Sequence, residues 1–256
     1  MCKMTTWPRL SIVCLVGMIL LGGVQPLQAQ EYLPVSKGTN PAFAKVVDDP
    51  KLPRVMIIGE SISIGYTPPL RELLQGKANI HRIPGNGQST REGVKRLNKW
   101  LGDSDWDLIH FNFGLHDCKK VDATGNNVSS PELGTVKVSI DEYEKNLRTI
   151  VERLQKTKAK LVWRNTTPIP AGVGFRVEGD EVRYNEVAQR VMKEYQIPTD
   201  DHWTIVKQQP KLQLPRNVHF TPEGSRVLAE QVAKTIAGAL EIDLPTSSLD
   251  PAKPAE

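Results

Sequence analysis

The stretch Arg54-Val-Met-Ile-Ile-Gly-Glu-Ser-Ile-Ser-Ile-Gly-Tyr66 decides how this chain is read. Val55 to Ile58 is an unbroken apolar run rich in β-branched residues. That is the pattern of a strand covered on both faces, as in a parallel sheet flanked by helices. The run stops at Gly59, and Ser61 stands where the chain turns before Pro68 and Leu70 to Leu74 open a helical pattern. A serine at the carboxyl end of a buried first strand lies where open α/β sheets bind ligands. Taken alone, Ser61 reads first as a turn serine satisfying local backbone groups. The residues downstream change that balance.

Ala78 to Ile83 is a second short strand, ending in the turn-rich Pro84-Gly-Asn-Gly-Gln-Ser-Thr90. Ser89 or Thr90 is placed to cap a helix carrying Val94, Leu97, Trp100 and Leu101 on one face. Asp107 to Phe113 is a third strand and runs into Gly114-Leu-His-Asp117. Lys119 to Val138 has no period and many turn residues, so it reads as a long loop of the kind that covers a site or binds something. Tyr143, Leu147, Ile150, Val151 and Leu154 mark an amphipathic helix with Asp141 and Glu142 in its first turn. Lys160 to Thr167 is a fourth strand and Ile197 to Asp201 a fifth, with a helix between them on Val182, Val187, Val191 and Met192. A last helix runs to Leu240, with Thr221 as its N-cap and Pro222 in first position. Strand and helix alternating about five times predict a three-layer α/β/α domain around a doubly wound, mostly parallel five-stranded sheet of flavodoxin-like type.

The flanks are different in kind. Lys3 and Arg9 precede an apolar run from Leu10 to Leu21, then Gly22, Gly23 and a small residue at Ala29. This is the layout of a secretory signal over residues 1–29, too short for a comfortable membrane span. Residues 30–53 form a polar lead-in, 54–241 the folded domain, and 242–256 a Pro-, Ser- and Lys-rich disordered tail. With the signal removed only Cys118 remains of 3 cysteines, so the exported chain holds its fold without an intrachain disulfide. The formal charge is +4, and losing Lys3 and Arg9 leaves about +2 with both signs interspersed. Nothing in that balance points to nucleic acid or to a stable membrane attachment.

In a doubly wound sheet the strands point one way, so their carboxyl-end loops meet at one rim. Ser61, Gly87, His116 and Asp117 follow the first three strands, and His219 precedes the last helix. A hydroxyl nucleophile, an imidazole base and donors for a developing oxyanion are the parts of acyl transfer.

Four blocks here resemble those of the SGNH or GDSL-type esterases and lipases. They are Gly59-Glu-Ser-Ile62, Gly87-Gln-Ser-Thr-Arg-Glu-Gly-Val94, Gly114-Leu-His-Asp117 and His219 with Thr221-Pro-Glu-Gly224. The resemblance spans roughly residues 54–240. It implies Ser61 as nucleophile and His219 as base, with the oxyanion held by the N–H groups of Ser61 and Gly87. His116 stands where the family has asparagine, and an imidazole N–H can donate in its place. Glu60 replaces the usual aspartate, and Asp117 is expected to tie down its loop. The family's triad acid lies three residues before the histidine, where this chain has Arg216. His219 must then be oriented by a backbone carbonyl, by Asn217, or by Asp200 or Asp201 from elsewhere on the rim.

Rival readings are weaker. Gly85-x-Gly87 lacks the third glycine of a dinucleotide loop, and Ser63 stands where an α/β-hydrolase elbow needs glycine. His116, Asp117, Asp200, Asp201, His202 and His219 suit zinc by type, but show no short ligand spacing. No metal and no cofactor is expected. The expected activity is an exported serine esterase removing a small acyl group, acetyl for instance, from a carbohydrate or other small ester. The polar loops favour this over a lysophospholipase or thioesterase. A weakened relative that binds a glycan in the same cleft is the other class, motivated by Arg216.

Overall fold

The computed structural model describes Met1 and residues 40–244. The expected signal (but for Met1), the lead-in up to residue 39 and the tail from residue 245 lie outside the described residues. The strands are β1 (Arg54–Ile58), β2 (Asn79–Arg82), β3 (Leu108–Phe111), β4 (Lys120–Val121), β5 (Thr135–Val136), β6 (Lys160–Arg164) and β7 (Thr199–Asp200). The helices are α1 (Ser61–Leu73), α2 (Thr90–Leu101), α3 (Ile140–Gln155), α4 (Glu181–Glu194), α5 (His202–Gln208) and α6 (Pro222–Leu240). Five strands pair in parallel in the order β2-β1-β3-β6-β7. This is the expected doubly wound order, and its switch point falls between β1 and β3.

Burial explains the apolar run that predicted β1. Val55, Ile57 and Ile58 are at most 1% exposed, because α1 and α6 cover one face and α2, α3 and α4 the other. Each such side chain contributes about 1.5–3 kcal/mol by leaving water. Tyr143 and Tyr184 hold the second helical layer to the rim by donating hydroxyls to the carbonyls of Phe113 (3.0 Å) and Val138 (2.6 Å).

Three local expectations change. α1 begins at Ser61, not near Pro68, and Pro68 and Pro69 lie inside it. Each proline lacks the N–H that would serve a carbonyl four residues back; Gly65, one of those two positions, is exposed and can turn to water. The long loop 119–138 contains an antiparallel ladder of β4 with β5, register Lys120 with Val136. α5, a helix of only seven residues just after the short edge strand β7, carries too little pattern to be visible in sequence.

Candidate active site

Ser61 is set by a turn held from three sides. Glu60 is the extended N-cap of α1, and the Ser63 hydroxyl donates back to its carbonyl at 2.6 Å. The Arg82 guanidinium on β2 donates to the carbonyls of Gly59 (3.2 Å) and Glu60 (3.3 Å) and to Ser63 Oγ (2.9 Å). Ser61 is thus the first residue of a helix, 7% exposed, where aligned peptide dipoles favour negative charge.

His219 comes from the far end of the chain, on a tight loop ahead of α6. Leu214 N–H donates to His219 C=O (2.9 Å) and Thr221 N–H to Leu212 C=O (2.9 Å), so the loop is closed at its base. The Thr221 hydroxyl accepts the Gly224 N–H at 2.9 Å and fixes the start of α6. The ring's Nε2 lies 2.8 Å from Ser61 Oγ.

The other ring nitrogen settles the tautomer. His219 Nδ1 lies 2.7 Å from Asn217 Oδ1, and the same oxygen accepts the His219 backbone N–H at 3.0 Å. A backbone N–H can only donate, so the amide oxygen, not its NH2, faces the imidazole. Nδ1 then carries the proton and Nε2 turns its lone pair to the serine. Arg216, in the family's acid position, is exposed in a left-handed conformation (φ +54) with its side chain against Gly172. Burial, and then the charge of Arg176, lower the His219 pKa from the ordinary 6.5.

Glu60 reaches across the rim and accepts the N–H groups of Gly114 and His116, both at 3.1 Å. Burial raises its pKa. The Nδ1 of His116 is sealed without a partner, which leaves Nε2 as its accessible nitrogen. Burial and the cations Arg176, Lys119 and Lys137 hold the His116 pKa well below 6.5, so the ring is neutral with a single N–H. Asp117 Oδ1 accepts both the N–H (2.9 Å) and the hydroxyl (2.5 Å) of Thr90, tying the third-strand loop to α2. Its burial pushes the pKa up to about 8.

Three expected roles need correction. The Gly87 N–H donates to Gly59 C=O at 3.0 Å, so it is not an open oxyanion donor. A Cβ at Gly87 would come within 2.8 Å of that same oxygen, so glycine is needed there for close backbone approach. Asp200 does not orient His219, because its carboxylate is shared among His110 (2.9 Å), His202 (3.1 Å) and Gln231 (2.8 Å). Asp201 caps α5 through Thr204 and takes the Asn165 amide at 2.7 Å. Among the described residues no three His, Cys, Asp or Glu side chains are grouped to hold a metal ion. No helix among them is long and apolar enough to cross a membrane. Arg82 and Arg176 escaped the sequence reading, since only the folded backbone brings a β2 residue and a Gly-rich loop to this rim.

A parallel sheet of this order, with a hydroxyl and an imidazole paired at the carboxyl end of its first strand, defines a three-layer α/β/α hydrolase fold of SGNH type. The chain belongs to the GDSL-like lipase/acylhydrolase family, whose model matches residues 57–227. Comparison with curated proteins finds no match. Among solved structures, a lipase/acylhydrolase from Enterococcus faecalis is 18% identical with a TM-score of 0.60, covering 73% of this chain and 96% of its own. The acetyl xylan esterase AlAXEase is 17% identical with a TM-score of 0.59, over 72% of this chain and 99% of its own. Axe2, an acetylxylan esterase from Geobacillus stearothermophilus, is 18% identical with a TM-score of 0.58, over 72% and 94%. At these identities the likeness is one of fold.

Proposed function

We propose that this chain is an exported carboxylic-ester hydrolase that removes a small acyl group, acetyl fitting best, from a carbohydrate through an acyl-enzyme on Ser61. One observation carries the reading: Ser61 Oγ and His219 Nε2 stand 2.8 Å apart, with Asn217 Oδ1 on the opposite ring nitrogen. Ser61 Oγ attacks the ester carbonyl while Nε2 takes its proton. The tetrahedral oxygen is stabilised by the Ser61 N–H, which has no acceptor within α1, and by an N–H of His116. The imidazolium returns its proton to the leaving alcohol, and water, activated by the same nitrogen, then releases the acid. Asn217 supplies orientation without charge, a weaker support to the imidazolium than a carboxylate.

The polar loops around the rim, rather than a wide apolar groove, support a sugar ester. The acetyl xylan esterases among the structural neighbours support acetyl. Hydrolysis of 4-nitrophenyl acetate is the test. Ser61→Ala should lower kcat by about 10³-fold or more. Equal, slow rates from both proteins overturn the enzyme and leave the glycan-binding reading, which Arg216 motivates. Export is tested by cell fractionation and by sequencing the amino terminus, expected after Ala29; a chain found only in the cytoplasm with Met1 retained overturns it.

A further inference from the structure

The rim carries cations that the acyl-transfer chemistry does not use. Arg176 is 7% exposed and its Nε donates to the Leu115 carbonyl at 3.1 Å, one residue before His116. Its guanidinium lies 4.6 Å from the centre of the Phe175 ring. Its two terminal nitrogens have no hydrogen-bond partner among the described residues, yet they are not sealed, so they open toward solvent. Backbone pairing brings two more cations to the same place. Lys120 N–H donates to Phe175 C=O (2.8 Å), Lys137 N–H to Lys119 C=O (2.8 Å) and Val138 N–H to Asp117 C=O (3.1 Å). Lys119 and Lys137 are half-buried, and neither has a carboxylate within ion-pair distance among the described residues.

The nearby acids offset this group only in part: Glu60 lends Arg176 and Lys119 some counter-charge from a distance, but no carboxylate hydrogen-bonds to any of the three cations among the described residues. Glu60 is spent on two backbone N–H groups, Asp117 on Thr90, and Asp180 pairs with Arg183. Burial first, and then the charges of Lys137 and Arg176, press the Lys119 pKa down to about 8, against a smaller opposing pull from Glu60. A nine-tenths buried guanidinium with free terminal N–H groups is shaped for a planar oxyanion, which it binds in bidentate fashion.

We propose that Arg176, with Lys119 and Lys137, forms an anion-binding subsite beside Ser61 and His219, so that the preferred ester is carried on an acidic sugar bearing a carboxylate or sulfate. This rests on the esterase reading above and names its substrate class. The sugar's anion docks on Arg176 and the ester carbonyl reaches Ser61, while the two lysines lend longer-range attraction.

The test compares three acetylated disaccharides: a neutral xyloside, a uronate and a sulfated sugar. The wild-type kcat/KM is expected to favour at least one anionic ester over the neutral one by about tenfold, with the preference shrinking as salt rises. Which anion is preferred separates carboxylate from sulfate. Arg176→Gln should collapse the anionic-to-neutral ratio through KM, and Arg176→Lys should recover part of it. Because Arg176 is buried, the half-exposed Lys119→Gln and Lys137→Gln are read alongside, each lowering the same ratio about threefold. Hydrolysis of all three esters at equal rates, or variants that slow all three alike, overturns the subsite and leaves the esterase standing. If no ester is hydrolysed, the esterase reading fails. The subsite is then judged by calorimetric binding of the uronate and sulfated disaccharides: salt-sensitive binding weakened by Arg176→Gln supports it, and no binding overturns it.

Discussion

At the scale of single residues, a neutral amide in place of a carboxylate has a measurable signature. In the proposed mechanism the base acts when His219 is unprotonated, and its pKa is lowered from 6.5, so the acid limb of kcat/KM is expected below pH 6.5. Asn217→Asp places a negative charge beside Nδ1, favours the imidazolium and should move that limb to higher pH. Asn217→Ala frees the ring to choose its tautomer and should cost at least about tenfold in kcat. Rate profiles of the three proteins on one acetyl ester check both. Asp117 offers a second reading, in stability. Its folded pKa is raised from 3.8 to about 8, so the folded state binds the extra proton and wild-type stability falls as pH climbs through that window. Asp117→Asn keeps an oxygen for Thr90 without the charge. Its melting temperature relative to wild type should therefore rise between about pH 4 and pH 8 and level off above that.

At the scale of elements, the turn between β1 and α1 is held by backbone contact with the loop after β2. Gly87→Ala pushes a methyl against the Gly59 carbonyl and should cost about 1–3 kcal/mol, read as a lower urea midpoint at unchanged slope. This contact also shows where the sequence stops being informative. The glycine at position 87 was visible in a recognisable block, but whether its N–H stays open or meets a carbonyl depends on a distance between two loops. Ser61 and His219 were legible because residue type, strand end and helix start all coincide in the primary sequence. α5 and the β4–β5 ladder were not, being too short for a helical or strand period to repeat often enough to be recognised. Arg176 sits in a stretch of glycine and proline with no local sign that it will turn inward.

At the scale of the whole molecule, a buried charge ties the β7 edge of the sheet to its central strand and to two helices. Asp200 on β7 meets His110 on β3, His202 on α5 and Gln231 on α6. Burial alone would raise its pKa, but the two imidazoles hold it well below 3.8, so its contribution to stability is present above 3.8 and lost only in strong acid. Asp200→Ala leaves the imidazoles without their shared acceptor and should destabilise by about 3–5 kcal/mol in urea titration. A related dependence runs through the reactive pair. Its hydroxyl opens α1 and its imidazole sits just ahead of α6, two helices that lie against each other although one follows the first strand and the other closes the domain. Under the proposed mechanism, a nascent chain emerging from the ribosome stays inert toward esters until its final helix has docked, and one that crossed a membrane unfolded would acquire its chemistry only on the far side.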